Sequence, residues 1–222
     1  MNMNFIKFKK FNFKLVITNT LLLSLCLLIS YPISAANNES SGGIIISLFQ
    51  PDYGKFATIA STAGQPKFES QMLLVGGDAT FMRKGFFTGG RVLYGNTSTS
   101  SISTSASTYE IANIGLKTGY GIDLSIIDIK LGSYFGIGNL HFSSVTTSTS
   151  GTIWVDYLFI EPFAMIGIAG GKNFAASFGA GYHYAFPYKV TTYGSTLLSD
   201  PTQASVGGIN IMFELSFGDF SH

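Results

Sequence analysis

Apolar and polar residues alternate along the last long segment of the chain, Gly208 to Phe217, and this alternation constrains the fold most. Successive side chains of a β-strand point to opposite faces, so the segment predicts a strand with one apolar and one mostly polar side. The apolar parity holds Ile209, Ile211, Phe213, Leu215 and Phe217, and the polar parity holds Asn210, Met212, Glu214 and Ser216. A strand of a soluble sandwich can show the same alternation, so the number of further such segments decides the fold class.

Seven further segments repeat the pattern and bring the number of predicted strands to eight. They span residues 43–49, 70–82, 86–96, 109–120, 125–142, 152–169 and 174–186. The connections alternate in length. Short turns are predicted at 83–85, 121–123 and 170–173, and long loops at 50–69, 97–108, 143–151 and 187–203. An even number of strands with alternating short and long connections is typical of an antiparallel, up-and-down transmembrane β-barrel.

The start of the chain predicts export. Four lysines precede an apolar run at 15–29, and Ser-Tyr-Pro-Ile-Ser-Ala-Ala follows at 30–36. A basic region, a short apolar region and a small-residue site describe a secretory signal peptide, for which we expect cleavage after Ala36. The domains are then a signal peptide at 1–36 and a barrel domain at 37–222. An uncleaved anchor, or a lipoprotein signal that uses Cys26, remains as an alternative.

The composition excludes several function classes. Charged residues make up only 11% of the chain, which also holds 20 Phe, 11 Tyr and 26 Gly. The longest apolar stretch after the predicted signal, at 153–171, is interrupted by Asp156, Glu161 and Pro162, which argues against a membrane helix. A membrane protein without membrane helices must be a closed barrel, because lipid offers no partner to unpaired backbone groups. No basic nucleic-acid footprint is present, and Cys26 is the only cysteine, so no thiolate metal site is expected.

Eight strands place both chain termini at the short-turn end, which is periplasmic in outer-membrane barrels, and the long loops outside. A strand of about 10 residues covers the ~25 Å apolar band of such a membrane. Aromatic residues near the loop ends are the expected interfacial girdle. They are Tyr94, Tyr109, Trp154, Tyr157, Tyr182, Tyr184 and Phe186.

Two segments resemble the small outer-membrane barrels of the OmpA and OmpX type. One is Ile-Glu-Pro-Phe-Ala-Met-Ile-Gly at 160–167, which is similar to the Glu-Pro-aromatic strand of such barrels. The other is the amphipathic last strand that ends on an aromatic residue. The resemblance implies that Phe213, Leu215 and Phe217 act as a signal for the outer-membrane assembly machinery. The chain departs from the pattern because its final residue is His222, so either Phe217 or Phe220 would supply the terminal aromatic group.

Seven charged residues share the inward parity of the predicted strands. They are Asp78, Arg91, Lys117, Asp128, Lys130, Glu161 and Glu214. An eight-stranded barrel has an interior that side chains can fill, and buried charges are costly unless they are paired. The near balance of signs therefore predicts a network of ion pairs that plugs the lumen, with Glu214 as a partner of Arg91, Lys117 or Lys130. A narrow or gated ion channel is the alternative.

A possible catalytic group lies on the outward parity. His141 and Ser143 are similar to the His-x-Ser pair of lipid A deacylase barrels, and Asp156 is predicted across the loop. Such a set has the residue types of a base, a nucleophile and an orienting acid. The pattern is also that of two polar residues at a strand end, which is the preferred interpretation. His183 is predicted to be a polar residue of the lumen.

The sequence thus predicts a non-enzymatic surface barrel in the outer membrane of a Gram-negative bacterium. A role in envelope integrity, adhesion or surface exposure is expected, with an ion channel and a lipid A-modifying enzyme as the alternatives. The expected partners are outer-membrane lipid and lipopolysaccharide, the assembly machinery, and a host or surface ligand that binds through the loops. No cofactor or metal is expected, because no phosphate-binding glycine loop and no metal-ligand spacing is present. The Ser/Thr tracts are expected to be solvated loops, with glycan acceptors or adhesive tips as the alternative.

Overall fold

The computed structural model describes most of the chain that follows the predicted signal peptide. The described residues are 38–54, 58, 71–100, 106–124, 127–145, 150–170, 173–193 and 207–220. They belong to one compact unit that spans 36–222. The predicted signal peptide, Cys26, the middle parts of the four long loops and His222 lie outside the described residues.

Eight antiparallel strands form one closed barrel in which each strand pairs with its neighbours along the chain. The strands are β1 (Asn38–Pro51), β2 (Met72–Arg83), β3 (Phe86–Ser100), β4 (Ala106–Leu124), β5 (Ile127–Val145), β6 (Ser150–Ala169), β7 (Phe174–Tyr193) and β8 (Gly208–Asp219). The prediction of an eight-stranded, up-and-down antiparallel β-barrel is therefore confirmed.

The pairing of β1 with β8 closes the sheet. The register runs from Ser40 opposite Asp219 to Pro51 opposite Gly208, and it places Ile46 opposite Phe213. Closure gives every strand two neighbours and so removes the open edges that would otherwise favour aggregation. The last strand of the sequence is thus one side of the barrel seam.

Several strands extend further than the sequence predicts. β3 continues to Ser100, β5 to Val145 and β7 to Tyr193, so parts of the predicted Ser/Thr and C-terminal loops are strand. The predicted turn at 121–123 is also wrong, because β4 continues to Leu124 opposite Ile127. Pairing with a long neighbour supplies backbone hydrogen bonds to residues whose own side chains show no amphipathic alternation. The turn at Arg83–Phe86 is as predicted, and Gly85 adopts a φ of 78° there, which favours glycine.

The outer wall of the barrel is apolar and its interior is mixed. Large hydrophobic side chains point outward on every strand, with Leu116 72% exposed and Phe178 61% exposed. The inward parity carries the buried polar and charged residues together with a cluster of buried apolar ones. This inverts the arrangement of a soluble protein, in which contiguous apolar surface of this extent is rare. Among the described residues, no helix is long and apolar enough to span a membrane.

Candidate functional site

The seven charged residues predicted for the lumen all lie on the inward parity. Asp78, Arg91, Lys117, Lys130, Glu161 and Glu214 are buried, and Asp128 is half-buried. They come from β2, β3, β4, β5, β6 and β8, so the barrel interior brings together side chains that are far apart in the sequence.

Arg91 and Glu161 form the central contact of this group. Arg91 Nη1 donates to Glu161 Oε1 and Arg91 Nη2 donates to Glu161 Oε2, both at 2.8 Å. Both side chains are 1% exposed. A guanidinium that binds both oxygens of a carboxylate combines charge with a fixed geometry. This pair fixes β3 relative to β6 across the lumen.

Glu161 also receives two further hydrogen bonds. His183 Nδ1 lies 2.9 Å from Glu161 Oε2, and Asn210 Nδ2 donates to Glu161 Oε1 at 3.0 Å. Asn210 Oδ1 in turn accepts a hydrogen bond from Ser47 Oγ. The carboxylate therefore joins β6 to β7, β8 and β1, which provides the full set of partners that a buried charge requires.

Arg91 makes two more contacts on its other sides. Its Cζ lies 3.6 Å from the centroid of the Tyr134 ring, which is a cation–π geometry. Its Nη1 also lies 3.3 Å from Met212 Sδ. With these contacts, the network that we call the Glu161 hub (Ser47, Arg91, Tyr134, Glu161, His183, Asn210 and Met212) includes side chains from six of the eight strands.

Two more ion pairs lie inside the barrel. Lys117 Nζ donates to Asp78 Oδ1, while Thr80 and Tyr134 donate to the same carboxylate at 3.2 and 3.4 Å. Lys130 Nζ lies 2.8 Å from Asp128 Oδ2 on its own strand. Tyr134 thus contacts both the Asp78 carboxylate and Arg91, so it connects the Lys117 pair with the Glu161 hub.

Glu214 has a different partner from the one expected. Arg91, Lys117 and Lys130 contact other carboxylates, and Glu214 accepts a hydrogen bond from Ser216 Oγ on the same strand. The partner of each charged residue depends on its position along the barrel axis. The alternation of a strand predicts the face of a residue but not this position. Ser47, Tyr134 and Asn210 also belong to the network, although the strand pattern predicts no specific role for them. Their inward parity is the one sequence signal that points to the lumen.

An apolar layer fills the long-loop end of the interior. Its members come from β1 and β4–β6 and are all buried: Phe49, Tyr109, Ile111, Leu140, Phe142, Ile153, Val155 and Tyr157. Tyr109 and Tyr157 were predicted to be girdle residues, and this is wrong because both are 0% exposed. Tyr157 donates to Asn113 at 2.5 Å, and the ring of Tyr109 packs edge-on against Tyr53 with centroids 4.9 Å apart. The other five predicted girdle residues are exposed on the outer wall.

Inward glycines make room for aromatic rings at mid-height. A Cβ at Gly115 would lie 2.9 Å from the Phe159 ring, and a Cβ at Gly136 would lie 2.8 Å from the same ring. Phe87 and Phe163 pack in the same way over Gly132. Large rings on some strands therefore pack directly against the glycine backbone of other strands, as in a close-packed core.

The predicted catalytic set on the outer wall is divided between two contacts. His141 Nδ1 lies 3.1 Å from Glu110 Oε2, and its ring stacks on Trp154 with centroids 4.1 Å apart. Asp156 instead accepts a hydrogen bond from Asn139 at 2.7 Å. The register places Ser143 opposite Thr152. Each group that would act as base or acid thus has a partner outside the predicted set.

The predicted assembly signal lies at the barrel seam. Phe213 and Phe217 point outward and are 40% and 57% exposed, while Leu215 between them is half-buried. Phe220 is buried, so of the two candidate aromatic residues it is Phe217 that faces outward. Within the described part of the chain, no three His, Cys, Asp or Glu side chains are arranged to hold a metal ion.

Comparison with solved structures gives likenesses in fold at very low sequence identity. The attachment invasion locus protein Ail of Yersinia pestis, in complex with the heparin analogue sucrose octasulfate, matches with a TM-score of 0.50 at 7% identity, over 84% of this chain and 100% of Ail. Neisserial surface protein A matches with a TM-score of 0.49 at 10% identity, over 84% of this chain and 100% of that one. A major outer membrane protein from Thermus thermophilus matches with a TM-score of 0.48 at 10% identity, over 81% of this chain and 99% of that one.

No protein-family model matches the chain, and no curated protein matches it in sequence. The fold assignment therefore depends on the closed antiparallel sheet and on the likeness to Ail. The chain has the eight-stranded fold of the small outer-membrane β-barrels, as the resemblance to the OmpA and OmpX type implied.

Proposed function

We propose that this protein is a non-enzymatic surface barrel of the outer membrane whose lumen is closed by its own side chains. The observation that carries the proposal is the Glu161 hub, in which one buried carboxylate bonds to Arg91, His183 and Asn210 from three other strands. Cross-links of this kind occupy the space through which ions would have to pass. The apolar layer around Tyr109 and Phe142 is a second obstruction nearer the long loops.

The outer wall supports placement in a lipid bilayer. Outward residues such as Ile114, Leu116 and Phe135 are exposed and apolar, so water would be a poor solvent for this surface. A closed barrel satisfies its backbone hydrogen bonds internally, which is what the hydrocarbon core requires. The predicted signal peptide supplies a route of export, and short turns at the chain-terminal end favour a periplasmic position for both termini.

The end of the barrel that carries the long loops would then face the outside of the cell. A barrel that does not conduct or catalyse acts through this surface, so envelope integrity, attachment and surface exposure are the proposed roles. The structure of Ail contains the heparin analogue sucrose octasulfate, and Ail is described as an attachment protein. A sulfated saccharide is therefore a reasonable first ligand for tests of attachment by this barrel.

Two measurements test the proposal. The protein should fractionate with outer membranes and migrate differently on gels before and after boiling, because a folded barrel resists detergent unfolding. Purified protein in planar bilayers should show no steady large conductance. A stable open channel under these conditions would contradict the closed lumen and favour the alternative of a narrow pore.

The enzymatic alternative has its own test. Expression of the protein should leave the mass spectrum of lipid A unchanged, both for the original sequence and for His141→Ala. A change in lipid A that appears with the original sequence and disappears with His141→Ala would replace the proposed function with that of a lipid A-modifying barrel.

A further inference from the structure

The outward wall of the barrel has an apolar depression over β2 and β3. Gly77, Ala79 and Gly90 point outward there, so the floor of the depression is almost bare backbone. A Cβ at Gly77 or Gly90 would meet a single carbonyl oxygen, at 3.7 and 3.6 Å, and otherwise open space. The depression has a volume of about 700 Å³, which is enough for several side chains of another molecule.

Large side chains on β4 and β5 border the depression on one side. We call them the ridge, and they are Ile114, Leu116, Phe135 and Ile137. Every member of the ridge is exposed, and Leu116 is exposed most, at 72%. The strand register puts Leu116 in one row with Gly90 and Ala79. The ridge and the depression are therefore neighbouring parts of one band of the wall.

A second copy of the barrel has a shape that fits this band. Copies that insert by the same route share one orientation, so a two-fold axis that relates them runs along the membrane normal and keeps each residue at its own depth. Neighbouring strands lie only about 4.8 Å apart, so the ridge and the depression differ little in depth even in a tilted sheet. An axis between them therefore brings the ridge of each copy onto the depression of the other. The patch is complementary to itself, as the interface of a closed dimer must be.

Acyl chains of lipid compete with the second copy for the depression. Lipid tails are as apolar as leucine, so association inside a bilayer depends on close packing rather than on the exclusion of water. An acyl chain loses conformational freedom when it follows the floor of the depression, whereas the strands already hold the side chains of the ridge in place. Small residues that let two backbones approach closely favour such packing in membranes. We propose that the ridge and the depression form the interface of a symmetric homodimer in the membrane, which rests on the proposed function.

Cysteines placed on two copies test the interface directly. Cys26 is the only cysteine of the chain, so Cys26→Ser gives a background without thiols. Two such full-length chains, one with Ala79→Cys and the other with Leu116→Cys, would be folded together into lipid vesicles and oxidised. We expect a cross-linked dimer, because the interface joins the ridge of one copy to the depression of the other. In the control mixture Leu131→Cys replaces Leu116→Cys, because Leu131 is also exposed on the outer wall but does not line the depression.

A substitution that fills the depression should separate the copies. Ala79→Leu should lower the dimerisation constant roughly tenfold, because the added side chain occupies the space of the ridge. Energy transfer between copies labelled at Lys84→Cys, an exposed turn position, measures this constant in vesicles. Ala164→Leu is the matched control, because Ala164 is an exposed outward residue of β6 that does not line the depression. Equal energy transfer by Ala79→Leu and Ala164→Leu, or equal cross-linking in the two cysteine mixtures, would overturn the inference.

The design separates this inference from the proposed function. A gel shift on boiling shows whether each variant has folded in the vesicles before cross-linking or energy transfer is measured. A folded barrel that stays monomeric at every protein-to-lipid ratio refutes the dimer alone, and lipid then covers the depression. A protein that never folds into any vesicle refutes the membrane barrel itself and, with it, the dimer.

Discussion

Arg91 and Glu161 are 70 positions apart in the chain, and they meet through two parallel hydrogen bonds of 2.8 Å inside the barrel. Arg91 is on β3 and Glu161 is on β6, which are not neighbouring strands, so the pair crosses the lumen of the barrel. Pro162 follows Glu161, and the pairing of β6 with β7 omits both residues. Because proline lacks a backbone donor, the sheet loses hydrogen bonds between β6 and β7 at this position. The Glu161 hub connects the same part of β6 to five other strands through side chains.

Removal of one member of this pair should destabilise the barrel strongly. Glu161→Gln leaves the Arg91 charge buried without its counter-charge, which costs about 3–5 kcal/mol of unfolding free energy. The double variant Arg91→Met, Glu161→Met should lose less than Glu161→Gln, since no uncompensated charge remains. Urea unfolding in lipid vesicles measures both.

Glu110→Gln is the matched control for this experiment, because Glu110 pairs with His141 on the outer wall and is partly exposed. It should change the unfolding free energy by at most about 1 kcal/mol. Equal effects of Glu161→Gln and Glu110→Gln would contradict a buried, strongly coupled hub.

Substitution of the inward glycines should disturb the packing of Phe159. A valine at Gly136 would place its Cβ against the backbone carbonyl of Ile114 and the Cα of Gly115, and also 2.8 Å from the Phe159 ring, so Gly136→Val should cost about 1–3 kcal/mol of unfolding free energy. Gly90→Val is the control, because a Cβ at this outward position would approach Gly115 O no closer than 3.6 Å. Phe159→Ala should restore little of the stability of Gly136→Val, because the contacts with the backbone of Ile114 and Gly115 remain. Full restoration would show instead that the Phe159 ring alone sets the cost.

The seam between β1 and β8 predicts a specific disulfide. Ile46 and Phe213 are directly opposite each other, and opposed residues of antiparallel strands have Cα atoms within disulfide range. Ile46→Cys with Phe213→Cys should therefore oxidise to a cross-linked form with a different mobility on non-reducing gels. Ile46→Cys with Ile211→Cys is the control, since Ile211 is opposite Leu48 and its distance to Ile46 is diagonal. If only the control pair formed a cross-link, the true register of β1 and β8 would differ from this one by two residues.

A charge on the outer wall should show where the apolar band lies. Leu116 is the most exposed of the large hydrophobic side chains that the structure describes, and Leu116→Arg should cost about 2–4 kcal/mol if it lies near the bilayer midplane. Ser98→Arg, also outward but near the loop end of β3, should cost about 0–1 kcal/mol. The measurement is the unfolding free energy in vesicles. Similar costs at both positions would argue against the proposed position of the membrane.

The alternation of residues was sufficient to predict the strand number, the facing of most side chains and the closure of β1 on β8. Strand ends were harder to predict, because Thr97 to Ser100 and Ser143 to Val145 lack any apolar periodicity and become strand through pairing with β4 and β6. The error at Tyr109 and Tyr157 has another cause. Nearness to a loop end predicts a girdle position for both, whereas their parity in the strand places both inside, where they are buried.

The position of a residue in its strand predicts which face of the barrel it occupies at most positions, because side-chain direction along a strand has a period of two and needs no knowledge of neighbours. This parity places Asp78, Arg91, Lys117, Lys130, Glu161 and Glu214 inside. The partners become visible in the folded barrel: Arg91 with Glu161, Lys117 with Asp78, and Ser216 with Glu214. Partner choice across a closed barrel depends on the stagger of eight strands and on the reach of each side chain, and neither is encoded in a local pattern.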